Sequence, residues 1–267
     1  MNFHILALIT ILVYLLSLNE YRKLAKNTSS NSRSSKVILF LGSFAHLLLL
    51  FSIAKVNLIY SPLLISCLSY LLIVVFLVLD IKRKNLATLG IFVISLTLLL
   101  LLIAGLFFHL ENSNETTVVS ASVQHLHWIF LLIAYALLIL NSLINLLWLI
   151  IEYRIKRKKA LNVHTYPSLF ETSKLSTIPL LMGYFTLIVG VILSIDYSVN
   201  ISLEKELFFS RLLFLLPTVL IYTYLMYMVF IKQDLGRKIV VWCFWAAFSL
   251  ALPFLDSSLG QSVFHAN

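Results

Sequence analysis

Long apolar stretches recur from one end of the chain to the other, each interrupted by a short polar or basic run. A helix rises about 1.5 Å per residue. About 20 apolar residues therefore cross a hydrocarbon core about 30 Å thick. On that length the pattern predicts eight membrane-spanning helices, with ends placed to about three residues. They are Phe3–Leu18, Val37–Ala54, Ser61–Leu79, Leu86–Phe108, Leu126–Ile151, Thr177–Ile195, Leu212–Ile231 and Ile239–Leu255. A membrane β-barrel would instead show short alternating segments, and the chain has none. The connections are short, so residues 1–267 read as a single integral membrane domain of the all-α class, a polytopic helix bundle. The first span lacks the basic lead and small-residue cleavage site of a signal peptide, and Arg22, Lys23 and Lys26 follow it, so it reads as an uncleaved helix.

Basic residues sort the connections into two sides, because cytoplasmic loops retain Lys and Arg. Arg22, Lys23, Lys26, Arg33 and Lys36 follow the first span, and Lys82, Arg83 and Lys84 the third. Arg154, Lys156, Arg157, Lys158, Lys159 and Lys174 follow the fifth, and Lys232, Arg237 and Lys238 the seventh. Only Lys55, Lys205 and Arg211 fall on the other side, so an even number of spans with both termini outside is expected. The net charge of +9 is this bias and not an affinity for nucleic acid. A basic cytoplasmic rim suits anionic lipid headgroups and offers a surface to a cytoplasmic protein partner.

Composition sharpens the class: 61% of residues are hydrophobic and 12% charged, against about 45–50% and about 25% in soluble domains. No Asp, Glu, Lys or Arg lies well inside a span; Asp80 and Arg211 sit at span ends. Ion-coupled transporters carry their ions on such groups, so a small-molecule transporter is disfavoured. No Walker loop, HExxH or GxSxG occurs, and no catalytic residue is assigned. Cys67 and Cys243 lie in different spans at different expected depths, which excludes a disulfide framework and reads as small buried apolar residues.

Histidine is the candidate chemistry. Six of the seven, all but His164, lie in or beside membrane. His4, His109, His125, His127 and His265 map to the outer ends of spans or outer loops, where each reads by itself as an interfacial polar residue. His46 alone is deep in a span, where an imidazole must find a partner or face a cavity. In the fifth span, at about 100° per residue, His127 and Asn145 point the same way. Asn141 lies to one side of them, and Ser142 and Tyr135 to the other. This polar stripe is either interhelical glue or the wall of a cleft. Gly183, Thr186 and Gly190 share one face of the sixth span, a pattern of close helix packing.

The order of these features resembles the cytochrome c assembly family of haem-handling membrane proteins, in its eight-span HemX/YpjD-like branch, most specifically over residues 37–267. "FAHLLLL" at Phe44–Leu50 is similar to the family's membrane histidine and following apolar half-helix, and "LHWIFLLIAYALLIL" at Leu126–Leu140 to its histidine-led span. "RIKRKKAL" at Arg154–Leu161 with "YPSLFE" at Tyr166–Glu171 resembles the cytoplasmic connection, and "LGRK" at Leu235–Lys238 the turn before the last span. Ser168 and Glu171 also form a capping-box pattern, expected to start a short amphipathic helix. Members that attach haem to apocytochrome carry a tryptophan-rich outer loop. Here Trp128, Trp148, Trp242 and Trp245 all lie outside the outer loops, and Leu110–His125 and Asp196–Ser210 are short.

The resemblance implies a protein of the bacterial cytoplasmic (inner) membrane that binds or handles haem without ligation chemistry of its own. His46 and His127 would be the axial ligands of a non-covalent, b-type haem, since haem iron accepts imidazole nitrogen. His46 is expected about 12 Å below the outer end of its span and His127 at the surface, a mismatch that shrinks if the fifth span begins nearer Val118. The alternative is a cofactor-free membrane regulator or scaffold that binds a partner through the basic loops.

Overall fold

In the computed structural model every element is helical, with no strand among the described residues, which are 3–26, 32–54, 60–83, 85–111, 122–158, 166–200, 205–233 and 236–250. The order is α1 (Phe3–Ala25), α2 (Ser32–Ala54), α3 (Tyr60–Lys82), α4 (Ala87–Glu111), α5 (Ser122–Lys156), α6 (Leu169–Asn200), α7 (Lys205–Met226) and α8 (Arg237–Ser249). A five-residue π-helical turn, Tyr227–Ile231, continues α7. Among the described residues six helices are long and apolar enough to cross a membrane, containing Ile5–Ala25, Ser32–Ala54, Pro62–Lys82, Ala87–Leu106, Leu126–Lys156 and Leu169–Leu193. The chain is thus a multi-pass membrane helix protein. Leu215–Ile231 is a shorter apolar stretch. The end of the eighth predicted span, residues 251–255, lies outside the described residues.

The helices belong to two compact units. The first comprises residues 1–119 and 150–172, and its framework is α1–α4. Each of these helices packs against two others, in a ring that α1 closes against α4. Tyr14, Tyr21, Leu39, Leu72, Ile73, Phe76 and Ile94 fill the centre and are essentially fully buried. Leu8, Leu16, Phe40, Phe44 and Phe51 point outward. Apolar side chains on both faces of a helix suit one that meets protein on one side and lipid on the other.

The second unit holds residues 120–149 and 173–267, and so most of α5 and α6 together with α7 and α8. Small residues set the α5–α6 approach: a Cβ at Gly183 would come within 2.8 Å of the Leu138 side chain, and one at Gly190 within 2.8 Å of Leu131. The small-residue face read from the sixth span is therefore a packing face. Tyr184 and Thr223 share a hydroxyl–hydroxyl bond of 2.9 Å between α6 and α7, and Thr218 donates to the Ser249 carbonyl at 3.0 Å between α7 and α8.

Several helices overrun the predicted spans: α1 runs to Ala25 and not Leu18, α2 starts at Ser32 and not Val37, and α7 starts at Lys205 and not Leu212. Helices α5 and α6 differ in ways that matter for the site. The capping box forms: the Ser168 backbone N–H donates to Glu171 Oε2 at 3.0 Å, and the Glu171 N–H donates to Ser168 Oγ at 3.2 Å. The helix it starts is not short, however. It runs on through Pro179 and the sixth span as the 32-residue α6. One proline removes one backbone hydrogen bond, and the apolar packing of the following turns carries the helix past it. The fifth helix begins at Ser122, about one turn before the expected Leu126, so His127 lies inside α5 and not at its tip.

Candidate functional site

In the first unit α2 carries His46 into the centre of the α1–α4 ring, where it is fully buried. Tyr14 reaches it from α1, its hydroxyl 3.0 Å from Nδ1. Two serines of α3 face the other nitrogen, with Ser66 Oγ at 3.2 Å and Ser69 Oγ at 3.5 Å from Nε2. Ser69 donates its own hydroxyl proton to the Ser66 carbonyl at 2.8 Å. Its contact with His46 must then be made by an Nε2–H donor. In a neutral ring Nδ1 is left as the acceptor, and the Tyr14 O–H donates to it. Tyr14 and Tyr70 also meet the imidazole edge-on, with ring centroids 5.8 and 5.5 Å away. Gly42, one turn before His46, lets Tyr14 lie against α2: a Cβ there would stand 2.9 Å from Tyr14 Cε1.

A second polar cluster lies in the same unit, towards the end that carries the basic residues. Asp80 of α3 is buried and accepts the Tyr21 hydroxyl proton at 2.9 Å. Lys36 of α2 donates to the Asp80 carbonyl oxygen and stands 3.6 Å from its carboxylate. Gly90 of α4 makes room for the Tyr21 ring, since a Cβ would meet Tyr21 Cδ1 at 2.5 Å. Asp80 thus ends its span inside a set of partners from α1 and α2.

The polar stripe of α5 is found in the second unit. Asn141, Ser142 and Asn145 are buried. The Asn141 and Asn145 side-chain amides point N–H groups at Cys243 Sγ of α8, at 3.6 and 3.4 Å, and Ser142 Oγ lies 3.3 Å from the Cys243 carbonyl. Asn145 also donates to Asn141 Oδ1 at 3.2 Å. Two amide donors on one sulfur make Cys243 part of an interhelical polar network. Composition alone reads it as a small apolar filler. His127 begins the stripe but bonds elsewhere: its Nδ1 is 2.8 Å from the Gly190 carbonyl of α6. A carbonyl only accepts, so Nδ1 carries the proton and Nε2 of the neutral ring holds the lone pair. Trp128 packs beside the ring, with centroids 5.4 Å apart.

His46 and His127, the two expected ligands, therefore lie in different compact units, each fixed by an oxygen at Nδ1. The side chains of His4, His109 and His125, and the whole of His164 and His265, lie outside the described residues. Among the described residues no group of three or more His, Cys, Asp and Glu side chains gathers to hold a metal ion. Tyr14, Ser66 and Ser69 are the residues that sequence reasoning missed. A usable signal was Gly42 one helical turn from His46, which marks a face where a large ring approaches. No known protein family, curated protein or solved structure matches the chain.

Proposed function

We propose that this is a haem-binding or haem-handling protein of the bacterial cytoplasmic membrane, with eight spans and both termini on the outer side. His46 and His127 are the candidate iron ligands, each through Nε2. The observation that carries the reading is the His127 hydrogen bond to Gly190. Metal-ligating histidines are oriented this way, with Nδ1–H given to an oxygen and Nε2 left as the basic nitrogen. The Gly190 bond gives His127 the tautomer that ligation through Nε2 would need. At His46 the ring proton would have to move to Nδ1, towards the Tyr14 oxygen at 3.0 Å, and Ser66 and Ser69 would have to leave Nε2. Haem held by imidazole supplies a redox-active iron whose potential follows its axial ligands and their hydrogen bonds.

The test is a pair of substitutions in detergent-purified protein titrated with haemin. His46→Ala and His127→Ala should each turn a six-coordinate spectrum into a five-coordinate one at unchanged protein yield. A six-coordinate spectrum that survives either substitution removes that residue from the ligand set.

One observation favours a second reading, a cofactor-free regulator that binds a cytoplasmic protein through the basic loops. Both nitrogens of His46 are satisfied within the protein, as a purely structural buried histidine requires. Under this reading neutralising Lys156, Arg157, Lys158 and Lys159 abolishes co-purification of the partner.

A further inference from the structure

Two arginines at the basic end of the first unit stand over tyrosine rings. The Arg154 guanidinium carbon lies 4.9 Å from the centroid of the Tyr166 ring, and that of Arg157 lies 4.7 Å from the centroid of the Tyr153 ring. The Arg157 backbone N–H donates to the Tyr153 carbonyl at 3.1 Å, so the helical turn of α5 carries on to Arg157. Residues three apart on a helix share one side of it, as Arg154 and Arg157 do. The carboxylates closest to them in sequence are engaged elsewhere. Glu152 holds Lys156 at 2.6 Å, and Glu171 accepts from the Ser168 N–H and hydroxyl, each at 3.0 Å. Among the described residues neither arginine has a carboxylate partner.

We infer that Arg154 and Arg157 form a binding site for the phosphate of an anionic phospholipid, with Tyr166 and Tyr153 as their positioning residues. The site is independent of the haem reading. An arginine held over a ring keeps the N–H donors at the edge of its guanidinium, a fork that fits a phosphate. The ring also takes up side-chain freedom that an exposed arginine would otherwise lose on binding. Retention of basic loops on one side of a membrane needs charge alone and no such fixing. Depth and surroundings select a lipid. The apolar stretch Leu126–Lys156 has 31 residues, about 46 Å of helix against a hydrocarbon core about 30 Å thick. The last turns of α5 therefore reach the headgroup layer. Tyr153, Ile155 and Phe170 are exposed there, and they suit acyl chains beside the phosphate better than an acidic soluble protein.

The purified full chain in detergent, titrated with phosphatidylglycerol or with phosphatidylcholine and read by native mass spectrometry, measures the site. Phosphatidylglycerol should bind at least about tenfold more tightly, since each arginine near an anionic lipid surface contributes roughly a factor of five. Equal binding of the two lipids overturns the site. Glycerol phosphate has the phosphate without acyl chains, and at the same concentration it should leave the bound lipid in place. Displacement of the lipid by glycerol phosphate would assign the arginines to a free phosphate and overturn the lipid.

Charge-conserving variants separate a built site from a merely basic surface. Arg154→Lys with Arg157→Lys keeps the charge and removes the fork, while Tyr153→Leu with Tyr166→Leu keeps both arginines and removes the rings. Each pair should weaken phosphatidylglycerol binding about fivefold and leave phosphatidylcholine unchanged; either pair decides if the other fails to fold. Lys156→Gln removes a charge already paired with Glu152, and should weaken binding by less than either pair. Undiminished binding in either pair, or a loss in Lys156→Gln as large as theirs, shows that charge alone is counted and overturns the proposal. A co-purifying soluble protein lost from the arginine pair, with phosphatidylglycerol binding intact, overturns it in favour of a protein partner.

Discussion

Asp80 is a buried carboxylate whose partners come from two neighbouring helices, Tyr21 of α1 and Lys36 of α2. Replacing it with Ala strands the Tyr21 hydroxyl and strips Lys36 of its counter-charge. The cost of leaving such groups unpaired is about 1–3 kcal/mol, so Asp80→Ala should lower the unfolding midpoint in detergent. Tyr21→Phe, which removes one neutral donor, should cost about 1 kcal/mol. Equal midpoints for Asp80→Ala and the wild type would show that the cluster contributes nothing. The sequence places Asp80 at a span end but cannot name its partners, and the same holds for Tyr14 and His46. In a soluble helix, polar and apolar faces tell which side is inward. In a membrane helix lipid and core are both apolar, so the pattern reports length and loses facing.

Among the elements, α5 shows what survives that loss. Its stripe of Asn141, Ser142 and Asn145 is legible because polar groups in hydrocarbon must turn towards protein, and the structure turns them towards α8. Which helix they would meet was not legible, since nothing in their spacing specifies Cys243. Polar contacts between membrane helices are worth about 0.6–2 kcal/mol. A double-mutant cycle of Asn145→Ala with Cys243→Ala should return a coupling of that order from unfolding midpoints. A coupling of zero would reduce the stripe to separate intrahelical bonds, such as that from Asn145 to the Asn141 carbonyl at 2.9 Å. The boundary of α6 was misread for a local reason. A capping box marks where a helix starts and carries no information on where it ends.

For the whole molecule, hydropathy made the membrane class plain, and six helices of sufficient length and apolarity among the described residues bear it out. The division into two compact units was not legible, because α5 and α6 each contribute residues to both and no change of composition marks the crossing. The basic residues predict a sidedness that reporter fusions test. Fusions at Ser34, Lys158 and Gln233 should report cytoplasm, and fusions at Asn114 and Asn267 the opposite side. A cytoplasmic carboxyl terminus would break the even-span topology and invert the expected depth of every outer histidine. The functional reading depends most directly on whether the protein holds haem, and the absorption spectrum of wild-type protein purified in detergent from haem-replete cells measures it. A Soret band of six-coordinate, bis-imidazole type at about one haem per chain is expected; a preparation with no Soret band, still colourless after titration with haemin, contradicts it.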